Sequence, residues 1–186
     1  MDYTHKTDEE LIQALETSGR TPPVALIRAF LKRQEALTPA LLLMFAEGAK
    51  DEWSDEADAR WYRAVHAGRL LIAYREERVL PLFEQLYASR DEADQHFIEW
   101  FETDLAHYGA TAVPAMKRVV NLDTGGDYHY GRALAVSVLS IIALQHPAER
   151  EGVLTFFRSL LPPLAADGDL LLPEDGEADE TWGMWP

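Results

Sequence analysis

Cysteine is absent from the 186 residues. That excludes a disulfide framework, a thiol nucleophile and any thiolate-ligated zinc or iron–sulfur site. No apolar run reaches the roughly 18 to 20 residues that a membrane span needs. The opening Met1-Asp2-Tyr3-Thr4-His5-Lys6 lacks the basic-then-apolar layout of a secretory signal. A cytoplasmic protein with no membrane partner is the expectation. Base is scarce: 17 Lys and Arg stand against 32 Asp and Glu, a formal charge of −15. Such a surface repels nucleic acid and anionic membranes, so no direct nucleic-acid binding is expected. It either favours a basic partner or keeps the chain in solution. Alternating apolar and polar residues bounded by turn residues are rare, which leaves strands without support.

The common catalytic patterns are missing as well. There is no Gly-x-Ser-x-Gly, and Gly125-Gly126 is neither preceded by a strand nor followed by lysine, so it is no phosphate loop. None of the six histidines (His5, His66, His96, His107, His129, His146) forms the i, i+4 pair of a helical zinc site. In the densest acidic cluster, Asp91, Glu92, Asp94, His96 and Glu99, the pair Asp94 and His96 sits two apart and would diverge on a helix. A solvated acidic helix start explains that cluster. Asp127, next to His129, reads as the N-cap of a long helix. No enzyme active site, metal or cofactor is expected.

What is present is helical periodicity from end to end. Thr7-Asp8-Glu9-Glu10 is a capping box ahead of Leu11, Ile12 and Leu15, and Gly19 supplies a left-handed stop. Thr21-Pro22 and Thr38-Pro39 read as the openings of a second and a third helix. Ser54 or Asp55 would cap a fourth, running through Trp61, Val65, Leu70 and Leu71 to about Tyr74. Phe97, Trp100, Phe101, Leu105 and Tyr108 suit one buried helical face. Tyr130 to Gln145 is almost all apolar and too long for a strand, so it reads as a central buried helix. His146-Pro147 breaks it, and Val153 to Leu161 forms the last helix.

The short helices repeat. Val79-Leu80-Pro81-Leu82-Phe83-Glu84-Gln85-Leu86 aligns with Ala112-Val113-Pro114-Ala115-Met116-Lys117-Arg118-Val119 at an offset of 33 residues, and with Val153-Leu154-Thr155-Phe156-Phe157-Arg158-Ser159-Leu160. Each copy is apolar at positions 1, 2, 4, 5 and 8 and follows a longer amphipathic helix. Pro147 also falls 33 residues after Pro114, but its apolar phase differs and the spacing is set aside as coincidence. Helix pairs recurring at this period describe an all-α, HEAT/armadillo-like stack, an α-solenoid, over residues 1–161.

Thr38-Pro39-Ala40-Leu41-Leu42, the helix Ala67-Gly68-Arg69-Leu70-Leu71-Ile72-Ala73-Tyr74-Arg75-Glu76 and the start Val79-Leu80-Pro81-Leu82 give Leu11 to Leu161 a further meaning. On these segments the chain resembles an uncharacterised bacterial family of HEAT-like repeat proteins. The resemblance implies a fold and no chemistry. Members often end in a small cysteine-rich zinc motif, which a chain without cysteine lacks.

Two sets of candidate partner-binding residues remain. Lys117, Arg118 and Arg158 occupy the polar positions of the short helices, which in solenoids line the concave face. The other set lies in residues 162–186, an irregular tail with seven acids and no base. It carries one apolar knot at Leu170, Leu171 and Leu172 and another at Trp182, Met184 and Trp185. Tryptophan is costly to leave in water and common at binding hot spots. The tail either covers the open end of the stack or serves as a linear motif for a basic, grooved partner. The expected function is therefore a non-enzymatic protein–protein interaction module. An exposed concave apolar surface would equally suit a homodimer. An acidic inhibitor that mimics nucleic acid is the alternative. It is weakened because the tail's −7 leaves only −8 of the −15 on the body. An unrecognised enzyme is the third reading.

Overall fold

A computed structural model describes residues 2–48, 62–89 and 92–161. Among these the regular structure is helical, with no strand: α1 (Asp8–Glu16), α2 (Val24–Leu31), α3 (Gln34–Gly48), α4 (Arg63–Tyr74), α5 (Leu80–Tyr87), α6 (Glu92–Ile98), α7 (Glu102–Leu105), α8 (Val113–Val120), α9 (Tyr130–Gln145) and α10 (Pro147–Leu160). Short 3-10 turns at Glu77–Val79, Glu99–Phe101 and Ala106–Thr111 join several of them.

The first helix starts as its sequence dictates. The Glu10 amide donates to the Thr7 hydroxyl at 3.2 Å, and the Thr7 amide donates to the Glu10 carboxylate at 2.8 Å. Gly19 takes a positive φ of 65° in the following loop. The Thr-Pro openings fare differently. Pro23 stands at the N-cap of α2, with no side-chain cap. Thr38-Pro39 lies inside α3, which begins at Gln34, and the buried Thr38 hydroxyl donates back to the Gln34 carbonyl at 2.7 Å. Pro39 is the sixth residue of α3, past the first turn, so it has no amide hydrogen to give the Glu35 carbonyl, and the helix nonetheless continues to Gly48. The cap expected at Ser54 or Asp55 falls outside the described residues.

The face from Phe97 to Tyr108 is broken into α6, a 3-10 turn, α7 and a second 3-10 turn, rather than one helix. Phe97, Phe101, Leu105 and Tyr108 are nonetheless all buried, because the breaks preserve the i, i+4 and i, i+3 spacing of the inward side chains. Gly109 closes this stretch at φ 56°, ψ −129°, a conformation open to glycine alone.

Helix α9 runs from Tyr130 to Gln145 as its apolar length predicts, and it is the hub. It packs against α5, α6, α7, α8, α10 and the turn Ala106–Thr111. Its N-cap is His129, not Asp127: the His129 Nδ1 accepts from the Arg132 amide at 3.3 Å. At the other end α3 lies along α4, with α1 and α2 packed on both. Rings from α3, α5, α6 and the turn before α7 interlock between these halves, with Phe45 4.8 Å from Phe83, 5.6 Å from Phe97 and 5.7 Å from Phe101.

Pro81, Pro114 and Pro147 each occupy the first turn of a helix, α5, α8 and α10, where a missing amide hydrogen costs nothing. The 33-residue spacing of Pro147 after Pro114 thus has a structural counterpart after all. The helix that it starts is longer than predicted and contains Val153 to Leu160 as its second half.

Candidate functional site

The short helices carry the predicted cations, and the first two copies match in burial. Val79 and Ala112, Phe83 and Met116, and Leu86 and Val119 are buried at equivalent positions. In the third copy only Val153 is buried; Phe156, Phe157 and Leu160 are partly covered. Helix α5 packs directly on α8. Across that contact the Arg118 Nε and Nη2 donate to the two oxygens of Glu84 at 2.6 and 2.7 Å. This fork-on-fork pairing holds the Glu84 carboxyl below the usual carboxylate range. Lys117 reaches the other way, donating to the Gly152 carbonyl of α10 at 3.2 Å with its ammonium 5.0 Å from the Phe156 ring centre. Arg158 pairs within α10, with Glu151 at 3.0 Å.

Of the three predicted cations, two therefore latch neighbouring short helices and one braces its own. All three have partners inside the chain. The side chains of Arg118 and Arg158 remain 61% and 65% exposed, so the row α5–α8–α10 still presents guanidinium groups to solvent. Leu170, Leu171, Leu172, Trp182 and Trp185 lie outside the described residues.

A second constellation was not legible in the sequence. Trp100, read there only as one member of an apolar face, is half-buried and collects two guanidinium groups, Arg20 at 6.0 Å and Arg69 at 5.7 Å from its ring centre. Asp104 anchors Arg69 at 3.0 Å, and Tyr62 meets Trp100 edge-on at 6.1 Å. The loop bearing Arg20 is held by the buried His66, whose Nε2 donates to the Gly19 carbonyl at 2.7 Å. Three distant segments meet here, and no local spacing announces that.

His66 gives the fold a pH dependence. Burial pushes its pKa below the ordinary 6.5, and the nearby Arg69 charge adds to the effect, outweighing the hydrogen bond to Gly19. The unfolded chain then binds a proton that the folded chain refuses. Stability is fully present above pH 6.5 and falls as the pH drops from there through the folded pKa. His66→Gln keeps a donor and removes the titration. Denaturant midpoints of this variant should fall less steeply below pH 6.5 than those of the parent. Parallel curves would discount His66.

Two further histidines act as fasteners. His129 donates from Nε2 to the Ala88 carbonyl at 3.2 Å, and His146 from Nε2 to the Ala106 carbonyl at 3.1 Å. The acids near His96 are used structurally too. Tyr130 donates to Glu99 at 2.6 Å, and Ser137 donates to Glu102. Burial and that bond to Glu99 push the Tyr130 hydroxyl up to about 12. Among the described residues no group of three His, Asp or Glu side chains is placed to hold a metal.

Tyr87, behind this cluster, buries its hydroxyl with no hydrogen-bond partner. Desolvation, with the Glu102 charge second, drives its pKa far above the ordinary tyrosine value. An orphaned buried hydroxyl costs about 1–3 kcal/mol. Tyr87→Phe should therefore leave stability unchanged or raise it by about 1 kcal/mol in urea unfolding. A clear loss would mean that an internal water bonds the hydroxyl.

The geometry defines an all-α protein of latched helices, and no described helix is long and apolar enough to cross a membrane. The chain belongs to the family described as protein of unknown function (DUF1186), which matches residues 7–167. No curated protein and no solved structure matches it.

Proposed function

We propose that this protein is a non-enzymatic protein–protein interaction module, built as a HEAT-like stack of helix pairs and working in the cytoplasm. Its partner-binding face is the row of short helices α5, α8 and α10. The observation that carries this reading is the pair of cross-helix latches, Glu84–Arg118 and Lys117–Gly152. They link α8 to α5 on one side and to α10 on the other, which supports reading the three as a row that presents one face, as in repeat proteins that bind along a row. Arg118 and Arg158 give that face exposed guanidinium groups, and arginine is enriched where partners contribute most binding energy.

The test is affinity capture from source-cell lysate with the full chain and with an Arg118→Ala/Arg158→Glu variant, read by mass spectrometry. Circular dichroism melts of both forms establish that the variant is folded. Loss of the Glu84 pair should cost no more than about 1 kcal/mol. A specific protein held by the parent and lost by the folded variant is the expected result. Equal capture by both moves the site elsewhere, and no specific protein with either overturns the reading.

A further inference from the structure

Positive charge is concentrated in one stretch of the chain. Residues 17–34 carry four bases, Arg20, Arg28, Lys32 and Arg33, and no acid, in a protein of formal charge −15. Two of the four are used internally. Arg33 donates to the Lys6 carbonyl at 2.7 Å and to Asp8 at 2.9 Å, which ties down the N-terminal arm, and Arg20 lies over the Trp100 ring. Among the described residues, Arg28 and Lys32 find no side-chain hydrogen bond or ion pair. On α2, Val24, Arg28, Leu31 and Lys32 follow i, i+4, i+7, i+8 spacing and share one face. That face stands opposite the buried Leu26, Ala29 and Phe30. Val24 is 66% and Leu31 41% exposed, on the outer line of the helix where polar residues normally stand. Helix α2 packs on α1, α3 and α4 and lies outside the row α5–α8–α10.

We propose that this outer face of α2 binds a short acidic segment of another protein, one that carries apolar residues at helical spacing beside its carboxylates. Charge selects that occupant. Arg28 and Lys32 lack a counter-charge within the chain and attract carboxylates. A screening length of about 8 Å at physiological salt lets these local cations outweigh the distant acids of the body. Val24 and Leu31, interleaved with them, call for an apolar group as well, so a simple anion leaves half of the surface unmatched. Size selects it too. The eight residues of α2 span about 12 Å, and one face of so short a helix falls well below the ~800 Å² per partner that a stable dimer buries. A second copy docked there about a two-fold axis would also set Arg28 and Lys32 against their own counterparts, a like-charge contact. Two apolar side chains make too small a face to hold a membrane, and the net charge of −15 repels an anionic one. A short amphipathic helix, anchored by residues one and two turns apart, fits both the length and the alternation of the patch. This surface is separate from the row α5–α8–α10 and does not depend on what that row binds.

Selecting a random-peptide phage library on the full chain tests this. The enriched peptides should be acidic, with apolar residues at helical spacing. A labelled copy of the most enriched one, followed by fluorescence anisotropy, should bind Arg28→Gln/Lys32→Gln about tenfold and Val24→Ser about fivefold more weakly than the parent. Lys32→Arg keeps the charge and should keep the affinity. The substituted side chains are exposed, so circular dichroism melts should stay close to that of the parent. Enrichment of no acidic peptide overturns the proposal, as does equal binding by the parent and the Arg28→Gln/Lys32→Gln variant. Peptides lost instead by Arg118→Ala/Arg158→Glu belong to the row of short helices and count against the α2 face. Phosphatidylserine vesicles held by the parent and released by Arg28→Gln/Lys32→Gln would give the face to a membrane. A dimer in sedimentation that Val24→Ser dissociates would give it to a second copy. Either result overturns the proposal.

Discussion

Replacing Gly131 with alanine is expected to cost about 3 kcal/mol or more, although the same change in most helix interiors stabilises. Gly131 is buried in the first turn of α9, where the hub helix crosses the end of α5. A Cβ there would sit 1.9 Å from the Tyr87 carbonyl oxygen, 2.8 Å from its carbon and 3.2 Å from its Cα. These are backbone atoms of a helix end, so no rotamer change relieves the clash. Either α9 lifts away from α5 or α5 unwinds its last turn, and both separate residues packed in the core. Against a total stability on the order of 5–15 kcal/mol, that is a large fraction. Gly152 in α10 is the internal control. Nothing lies within 4 Å of its added Cβ, so Gly152→Ala should stabilise by about 0.5–1 kcal/mol. Urea unfolding of the two variants should give shifts of opposite sign. A Gly131→Ala protein as stable as its parent would mean that the α5–α9 crossing is looser than described.

How much of this was legible depended on whether the signal was local. The capping box at Thr7, the bounds of α9 and the proline starts of α5 and α8 follow from short-range rules, and they hold. Thr38-Pro39 misled because the same dipeptide suits a helix start and a site near one, and the residues before it, Gln34 to Leu37, have helical propensity of their own. Asp127 lost the N-cap to His129 for a tertiary reason. The His129 ring serves two elements at once, capping α9 with Nδ1 and bonding the end of α5 through Nε2. Pro147 was set aside because its apolar phase differed. Proline placement reports where a helix begins, whereas apolar phase reports which face is buried, and in α10, which among the described residues packs chiefly on α9, the two part company.

The candidate surface was legible in its residues but not in its pairings. Periodicity placed Lys117, Arg118 and Arg158 on the polar side of the short helices. It could not reveal that Glu84, at position 6 of the first copy, faces Arg118 at position 7 of the second. Such a contact depends on how adjacent helices are offset, which one strand of sequence does not encode locally. The Trp100 cluster shows the same limit, since Arg20, Arg69 and Trp100 come together only through the fold.

Phe45→Ala should be among the most damaging single substitutions in the protein, with a loss of about 3–5 kcal/mol. The ring is wholly buried and belongs to α3, yet it touches Phe83 of α5, Phe97 of α6 and Phe101 of the turn before α7. The Phe45–Phe101 pair is edge-on at 84°, a favourable arrangement for aromatic quadrupoles. Below it, Gly68 of α4 makes room: a Cβ there would lie 2.9 Å from Phe45 and 2.5 Å from Phe101. One ring thus joins the N-terminal helices to those that surround α9, and truncating it leaves a void that rigid helices on several sides cannot fill. Phe45→Leu retains most of the volume and should cost much less. Gly68→Ala in the parent should be destabilising in its own right. Combined with Phe45→Ala it should cost less than the two losses added together, because the methyl enters part of the vacated space. A double-mutant cycle by denaturant unfolding measures that coupling. Strict additivity would show that Gly68 and Phe45 do not share one packing site, and the account of how α3 is joined to α4 through this cluster would fail with it.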